Sequence, residues 1–298
     1  MKKELVLVKL GGGVITDKKI RYGLKEKRLA RLAQELGEAW MELKTEGGLI
    51  VGNGAGSFAH FSAKKYGTKN GFNNEREAVG AGWVHWDAVK LNQIVVESLL
   101  RERVPAFSLS PASMMVQIVP TGPESSRFPG GVRDDKSALG SVADLSSWVW
   151  VGEESLRVGI EKGLVPVVYG DVILDEKQGS TIFSTEKVFT TILQQMSWLR
   201  DQFGRVRVIQ VGLEKGVMRN GEVIGVISRD NWEEVKNYLE GSEGVDVTGG
   251  MWHKVEMSLE LVDLGVETWI VSGLEKGRVK RAILGGEVEG TKIVKNSK

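Results

Sequence analysis

The 298-residue sequence lacks cysteine altogether and has only three histidines. Without cysteine the chain can form no disulfide scaffold, no thiolate metal site and no cysteine nucleophile. Three histidines also argue against a histidine-based zinc cluster. Neither charge sign is in excess, because 40 Lys and Arg stand against 39 Asp and Glu and leave a formal net charge of +1. The charge balance therefore gives no indication of a nucleic-acid partner.

Long apolar runs are missing as well, since none approaches the roughly 20 residues that cross a bilayer. The chain has two lysines near its start, and the apolar run that follows covers only residues 5–10 before three glycines. Such a run is too short for an export signal. We therefore expect a soluble, cytoplasmic protein without a membrane partner.

Glycine is the one residue type in clear excess, with 38 residues against an average usage of about 7%. Several clusters directly follow apolar runs, which predicts loops where the backbone comes close to a ligand. Any one cluster also fits an ordinary tight turn. The clusters lie at residues 11–13, 52–56, 130–131, 249–250 and 285–286.

Short apolar runs alternate along the chain with helical patterns. Continuous rather than alternating hydrophobicity is typical of buried parallel strands. The predicted strands cover residues 5–10, 49–51, 105–109, 165–169, 206–211 and 268–271. Apolar residues at helical spacing predict helices over residues 24–45, 75–103, 186–202 and 251–264. The alternation predicts an α/β protein, a three-layer αβα sandwich around a mainly parallel sheet.

Two segments predict antiparallel hairpins. Asn220 and Gly221 lie between apolar arms, a strong hairpin signal, and residues 171–183 predict a second hairpin with its turn near Gly179. Residues 117–147 contain three of the six prolines. We expect a long excursion there, because loops of this length in compact domains are usually functional or mobile.

The first candidate functional motif begins at the end of the first predicted strand. Lys9 is followed by Gly11, Gly12 and Gly13, and Lys18 comes five residues after the last glycine. Exposed backbone N–H groups and two ammonium groups suit the phosphates of a nucleotide. The spacing is neither that of a Walker A loop nor that of the dinucleotide fingerprint.

Two further motifs also combine glycines with a helix start. Residues 52–60 leave the second strand and open a helix that carries His60. A helix N-terminus attracts anions, and a neutral imidazole can donate one hydrogen bond to a phosphate oxygen. Residues 246–254 combine a turn, a helix start and Lys254 one turn into that helix. His85 and His253 are assigned to packing or to the surface.

Together these motifs resemble the amino acid kinase superfamily and, within it, the isopentenyl phosphate kinases. Tyr169-Gly170-Asp171-Val172 before the second hairpin and a closing strand at residues 290–293 agree with that resemblance. The Gly-x-Gly-Ser-Phe-x-His loop that ends at His60 is the most specific feature. Isopentenyl phosphate kinases share it with the related fosfomycin kinases.

The resemblance implies one amino acid kinase domain over residues 1–298 with a hairpin near the acceptor site. An N-terminal lobe of about residues 1–180 would bind the acceptor phosphate, and a C-terminal lobe of about residues 181–298 would bind the nucleotide. The implied reaction is ATP-dependent phosphorylation of isopentenyl phosphate, or a similar alkyl monophosphate, to the diphosphate. Mg²⁺ would be held by the nucleotide rather than by protein ligands, and the protein would be a homodimer.

The same resemblance, carried onto this sequence, implies three groups of site residues. The catalytic residues would be Lys9, Lys18 and His60. The residues that bind the nucleotide would be Gly11, Gly12, Gly13, Ser184, Gly216, Gly249, Gly250 and Lys254. The residues that bind the acceptor phosphate would be Gly54, Ala55, Gly56, Ser57, His60 and Gly170. From apolarity and position we expect Val79, Trp83 and Trp86, with Ile173, to line a pocket for the acceptor's hydrocarbon tail.

Several positions depart from the family pattern. Gly13 stands where the family often has Ser, Asn53 where it usually has His, and Glu186 where it commonly has an Asp that organises the catalytic lysines. Residues 211–218 also differ. Two alternatives therefore stay open: phosphorylation of a phosphonate, as in fosfomycin kinases, and a nucleotide-binding storage or regulatory protein of the same fold.

Overall fold

The computed structural model describes residues 4–117, 147–241 and 250–296. Its strands are β1 Glu4–Leu10, β2 Gly47–Asn53, β3 Ala106–Ser108, β4 Met115–Gln117, β5 Trp148–Trp150, β6 Val165–Tyr169, β7 Asp171–Asp175, β8 Gly179–Phe183, β9 Arg205–Gly212, β10 Met218–Arg219, β11 Glu222–Val223, β12 Val226–Ile227, β13 Glu267–Ser272 and β14 Gly290–Ile293. Its helices are α1 Gly12–Ile15, α2 Glu26–Leu43, α3 Gly56–Tyr66, α4 Glu75–Arg101, α5 Pro111–Met114, α6 Glu153–Glu161, α7 Thr185–Gln195, α8 Ser197–Gln202, α9 Arg229–Gly241, α10 Gly250–Asp263 and α11 Arg278–Ile283.

A sheet of eight strands in the order β12-β14-β13-β9-β1-β2-β6-β3 forms the middle layer. Neighbouring strands run parallel except for β13 and β14, which are antiparallel. Helices cover both faces, because alternate residues of β1 enter different cores. Val6 and Val8 pack with residues of α2, α4 and α11, whereas Leu5 and Leu7 pack with residues of α6, α7 and α8. The predicted three-layer sandwich is confirmed.

Most predicted elements are present in the structure. Each of the six predicted strands falls on one of the strands above, and both hairpins form, as β7–β8 and β10–β11. Gly179 takes the left-handed φ of +79° that the β7–β8 turn requires. The segment 186–202 is two helices rather than one, because the chain breaks at Met196, whose side chain is buried in the core.

The predicted excursion at residues 117–147 falls mostly outside the described residues, which resume at residue 147. Its flanks, β4 and β5, pair antiparallel, with Met115 opposite Trp150. The division into two lobes near residue 180 stays a prediction. Within the described ranges, no helix is both long and apolar enough to span a bilayer.

The parallel order brings the ends of β9, β1 and β2 to one edge of the sheet. Gly11 N donates to the carbonyl oxygen of Val211 at 2.9 Å, and Gly54 N donates to the carbonyl oxygen of Leu10 at 2.9 Å. These bonds tie the loop after β1 to both neighbouring strands. The two glycine motifs predicted from the sequence therefore lie side by side.

The loops after β1 and β2 pack backbone against backbone. A Cβ atom on Gly12 would lie 2.4 Å from the backbone nitrogen of Gly56, a distance that no side chain tolerates. Thr16 joins the loops further, because its hydroxyl donates to the Gly12 carbonyl oxygen at 2.7 Å and accepts from Ser57 N at 2.9 Å. The close approach of the two loops therefore requires glycine at position 12.

Replacing Gly12 tests this contact. Gly12→Ala should destabilise the protein by about 1–3 kcal/mol, the usual cost of forcing extra atoms into a packed interior, because neither backbone can retreat without breaking its strand-end hydrogen bonds. Urea denaturation measures the change. Gly225→Ala is the control, since a Cβ atom there meets nothing within 4 Å. Equal stability of the two variants would show that the loops are not in close contact.

Candidate active site

Lys9 and Glu186 form a buried ion pair at the edge of the sheet where β1 ends. Lys9 is the penultimate residue of β1, and its Nζ donates to Glu186 Oε1. Only 9% of the Lys9 side chain and 10% of the Glu186 side chain are exposed. Glu186 comes from the first turn of α7, whose N-cap residue, Ser184, accepts a hydrogen bond from Lys187 N at 3.3 Å. The pair therefore joins the central strand to the start of a helix.

The Glu186 carboxyl group is strongly acidic in this setting. Burial by itself would raise its pKa, but the charge of Lys9 and the hydrogen bond from Lys9, with a contribution from Lys254, outweigh burial and hold the pKa at about 2. Glu186 is therefore an anion at neutral pH. The side chain of Glu186, one methylene longer than the Asp expected from the resemblance, still reaches Lys9.

Lys18 and His60 share the cleft with Lys9. A Cβ atom on Gly13 would lie 3.2 Å from Lys18 Cε, so the lysine side chain passes close over that glycine. His60 lies in the first turns of α3 and is exposed to solvent. Although part of the side chain is exposed, neighbouring groups desolvate the ring and lower the imidazole pKa, and the positive charges of Lys18 and Lys9 lower it further. The structure thus brings the three predicted catalytic residues together.

Lys254 lies on the β9 side of the same cleft. Its Nζ is 4.0 Å from the place a Cβ atom of Gly212 would occupy, at the end of β9. Gly250 begins the helix α10 that carries it, and Gly249 lies outside the described residues. Gly216 is packed against β14, because a Cβ atom there would be 2.6 Å from Thr291 Oγ1. The structure therefore gives Gly216 a packing role.

His253, assigned from the sequence to packing or the surface, lies near the Lys9–Glu186 pair. Burial lowers the pKa of its imidazole, and the group also responds to the charges of Glu186, Lys187 and Lys9. Its ring is therefore close to the Lys9–Glu186 pair rather than on a remote surface. The available signal was its position in the chain, immediately before Lys254 at the start of a helix.

The end of β2 is held by the backbone carbonyl of Asn53. This oxygen accepts from Gly170 N at 3.1 Å and from Thr185 Oγ1 at 2.8 Å. It thus connects the end of β2 to the start of α7 and to the predicted acceptor residue Gly170. Ala55 is the N-cap of α3, and Ser57 is buried with a hydroxyl group that has no partner among the described residues.

The apolar residues expected to line the acceptor's tail pocket are mostly exposed. Val79, Trp83 and Trp86 are 53%, 43% and 59% exposed and lie on the outward face of α4. Ile173 points into the core with Phe183. Helical spacing alone does not tell which apolar stripe of α4 faces the protein, and the stripe with the larger residues is the exposed one.

Small apolar side chains fill the space between α3, α4 and the hairpin instead. The cluster consists of Ala59, Ala81, Val84, Ala88, Tyr169 and Val172, with Ala55, Ala63, Phe72, Val89 and Ile182 at its edges. It begins directly beside the His60 loop, since Ala59 precedes His60 on α3. An apolar tail attached to a phosphate at that loop would meet this cluster.

His85, assigned from the sequence to packing or the surface, fixes the start of the β7–β8 hairpin. Its Nδ1 is 2.8 Å from Asp171 Oδ2, and Asp171 Oδ1 accepts from Val172 N at 2.8 Å. The hydrogen bond to Asp171 raises the pKa of His85. Burial raises the pKa of Asp171, although the bonds from His85 and Val172 oppose that rise. The interaction holds β7, and Gly170 before it, against α4.

A second buried carboxylate anchors the segment that carries Lys18. Asp87 on α4 is fully buried and accepts hydrogen bonds from Tyr22 Oη at 2.6 Å and from Ser62 Oγ. Tyr22 lies four residues after Lys18, and Ser62 lies two residues after His60. One carboxylate therefore fixes both the Lys18 segment and the helix of His60.

The Lys9–Glu186 pair predicts a pH-dependent stability. Because the folded pKa of about 2 lies below the ordinary value of 4.5, the ionised carboxylate stabilises the fold above pH 4.5, and that contribution is lost as the pH falls toward 2. Wild type should therefore be more stable than Glu186→Gln at pH 6.5, and the difference should narrow at pH 3.5. Urea denaturation at both pH values measures it, with exposed Glu233→Gln as the control. A difference that stays constant with pH would contradict the ion pair.

The sequence of this chain matches one known protein family and several characterised relatives. A family model described as "Amino acid kinase family" matches residues 4–272. The isopentenyl phosphate kinase of Methanothermobacter thermautotrophicus is 31% identical, covering 97% of this chain and 98% of that protein. The isopentenyl phosphate kinase of Methanocaldococcus jannaschii is 28% identical over 97% of this chain and 98% of that protein.

A solved structure agrees as well. The chain described as "X-ray structures of isopentenyl phosphate kinase" has a TM-score of 0.68 and 29% identity, covering 97% of this chain and all of that one. These matches extend over nearly the whole length of each protein and include both glycine loops. The chain therefore belongs to the amino acid kinase family, and its full-length relatives group it with the isopentenyl phosphate kinases.

Proposed function

We propose that this protein transfers the γ-phosphoryl group of ATP to isopentenyl phosphate, or a similar short alkyl monophosphate, and forms the alkyl diphosphate and ADP. A phosphate oxygen of the acceptor forms the new P–O bond, and the bond between the γ-phosphorus and the ADP oxygen breaks. The observation that carries the proposal is the pair of contacting glycine loops with Lys9, Lys18 and His60 in one cleft. Two relatives that match over nearly their whole length are isopentenyl phosphate kinases.

The acceptor needs no general base. A phosphate monoester loses its second proton with a pKa of about 6, so its oxygen is already an anionic nucleophile at neutral pH. Catalysis then consists mainly of holding two anions in line and neutralising their charge. The residues of the cleft are suited to that task, since they are lysines, backbone N–H groups and one imidazole.

The three lysines would neutralise negative charge on both the nucleotide and the acceptor. Lys9 is oriented by Glu186 and would neutralise the transferred phosphoryl group. Lys18 passes close over Gly13, and Lys254 lies beside Gly212 on the nucleotide side. Fixed ammonium groups at the points where charge develops stabilise the transition state without reorganisation.

His60 is proposed to hold the acceptor phosphate. Because burial and the neighbouring lysines lower its pKa, the free imidazole is neutral at physiological pH and offers one N–H donor. His60 also follows the start of α3 closely, and a helix N-terminus favours an anion.

Membership of a kinase family implies ATP as the donor, and Mg²⁺ would bind together with it. Glycine at positions 11 and 12 lets this loop pack against its neighbours, since a Cβ atom at either would collide with backbone. The described residues contain no group of three or more acidic or histidine side chains that could hold a metal. Mg²⁺ would therefore be held by the nucleotide phosphates, where it neutralises their charge. Because the reaction consumes ATP, we place it in the cytoplasm.

A product assay tests the proposal. Purified protein with Mg-ATP and isopentenyl phosphate should give the diphosphate, detected by phosphorus NMR. Because the space beside His60 is apolar, kcat/KM should exceed that for fosfomycin, a compact phosphonate, by about 10–200-fold, the range that hydrophobic contacts usually supply. A preference for the phosphonate, or ATP binding with no product from either acceptor, would overturn it in favour of one of the two alternatives.

His60 is tested separately from the overall reaction. His60→Ala should lower kcat/KM for isopentenyl phosphate by about 10²-fold if its hydrogen bond strengthens in the transition state. Phe61→Ala, which truncates the exposed neighbouring side chain on α3, is the control and should stay close to wild type. Wild-type activity in His60→Ala would remove this residue from the mechanism.

We further propose a homodimer formed through the exposed face of α4. Val79, Trp83 and Trp86 make an apolar stripe there, and a Cβ atom on Gly82 would meet nothing within 4 Å. An antiparallel crossing of two α4 helices, centred between Gly82 and Trp83, places Val79 opposite Trp86. The same crossing places the acidic residue at position 75 opposite the lysine at position 90. The face is thus self-complementary, as a two-fold interface requires.

The oligomeric state tests this interface. We expect wild type to sediment as a dimer and Trp86→Glu to sediment as a monomer, because the carboxylate would be buried unpaired against its copy. Val158→Glu on α6, also exposed but on the opposite side of the sheet, should leave the dimer intact. A monomeric wild type, or a dimeric Trp86→Glu, would contradict the proposal.

A further inference from the structure

A small cavity lies directly beneath the Lys9–Glu186 pair. Its volume is about 10 Å³, close to the lower limit for one enclosed water molecule. Strands β1 and β9 form its floor, and helices α7 and α10 form its walls. It is lined by Lys9, Glu186, Phe189, Thr190, Val208, Gln210, Met257 and Leu261.

Two of the lining residues have a polar atom without a protein partner. Among the described residues, none forms a hydrogen bond with Gln210 Oε1 or with Thr190 Oγ1. Gln210 is 4% exposed and Thr190 is fully buried, so bulk water does not satisfy these atoms. Buried polar groups left unpaired destabilise the folded state. An apolar cavity would stay dry, but a cavity with these groups is suited to water.

Gln210 also connects the cavity to the helix of Lys254. It is the register partner of Lys9 on the neighbouring strand. Its Nε2 donates to Ser258 Oγ at 3.0 Å, and that hydroxyl donates to the backbone carbonyl of Lys254 at 2.6 Å. Only the cavity separates this chain of bonds from the ammonium group of Lys9.

We propose that one water molecule occupies the cavity, donates a hydrogen bond to Gln210 Oε1, accepts one from Lys9 Nζ and uses Thr190 Oγ1 as its third partner. Gln210 is then a positioning residue. Through the water and Ser258 it fixes Lys9 on the central strand relative to Lys254 on α10. The positioning role rests on the proposed function, whereas the water site does not.

Water fits the cavity better than a cation does. The Lys9 ammonium group lines the cavity and would repel a positive ion. A water molecule can donate to a carbonyl oxygen and accept from an ammonium group at the same time, and buried waters typically make about three such bonds.

A crystal structure of wild type tests the water site directly. Electron density should show a single peak roughly 2.7–3.2 Å from both Gln210 Oε1 and Lys9 Nζ, the ordinary range of hydrogen bonds. Absence of the peak, at a resolution that shows other buried waters, would overturn the proposal whether or not the protein is active.

Two adjacent threonines provide a matched stability test. Thr190 and Thr191 are both fully buried on α7, and both hydroxyl groups lack a described partner, but only Thr190 lines the cavity. Thr190→Val should lower Tm by about 2–4 °C, the usual effect of 1 kcal/mol in a protein of this size, because the water loses a partner. Thr191→Val should leave Tm unchanged or raise it. Equal shifts in both variants would contradict the water site.

Kinetics test the positioning role. Gln210→Met keeps the length of the side chain but removes its polar atoms, and should lower kcat about tenfold with less than a twofold change in either KM. Thr190→Val should show a smaller loss of kcat, which Thr190→Ser restores. If the wild type is active and Gln210→Met has the wild-type kcat, or if KM rises instead, Gln210 does not position Lys9. A wild type inactive on every alkyl phosphate would count against the proposed function and leave the density and Tm tests of the water site valid.

Discussion

The contact between two stretches of glycine backbone determines the rest of this site. A Cβ atom on Gly12 would collide with the backbone of Gly56, and one on Gly56 would collide with Thr16, whose hydroxyl group holds the two loops together. Each loop follows a parallel strand of the sheet. Because the loops touch, anions bound at both loops would meet end to end. The proposed transfer between two phosphates requires that arrangement.

Bringing two anions together requires positive charge held in place. Lys9 provides positive charge on the central strand. Glu186 orients the Lys9 ammonium group and offsets part of that positive charge. The two charges can be buried only because each one pairs with the other. Either charge alone would be destabilising there. Lys18 and Lys254 reach the cleft from separate segments, and Asp87 and Ser258 fix those segments. The site is therefore a set of charges fixed by buried polar groups.

The sequence predicted the fold and the two neighbouring glycine loops for one physical reason. Lys9 and the loop of His60 each follow a short apolar strand, and parallel strands end at one edge of a sheet. What it could not predict depends on which way a side chain points. Trp83 lies outside because both faces of α4 contain apolar residues, and spacing does not rank them. His253 was missed because its neighbours come from β1 and α7, far away in sequence.

The central claim is that one cleft holds the donor and acceptor phosphates in line, each on its own glycine loop. A crystal structure with a non-hydrolysable ATP analogue and isopentenyl phosphate tests it most directly. We predict the terminal phosphate of the analogue against residues 11–13 and the acceptor phosphate against the start of α3. The Lys9 and Lys18 ammonium groups should lie between them, with an acceptor oxygen opposite the leaving oxygen. Phosphates bound in separate clefts, or lysines turned away from both, would contradict the account.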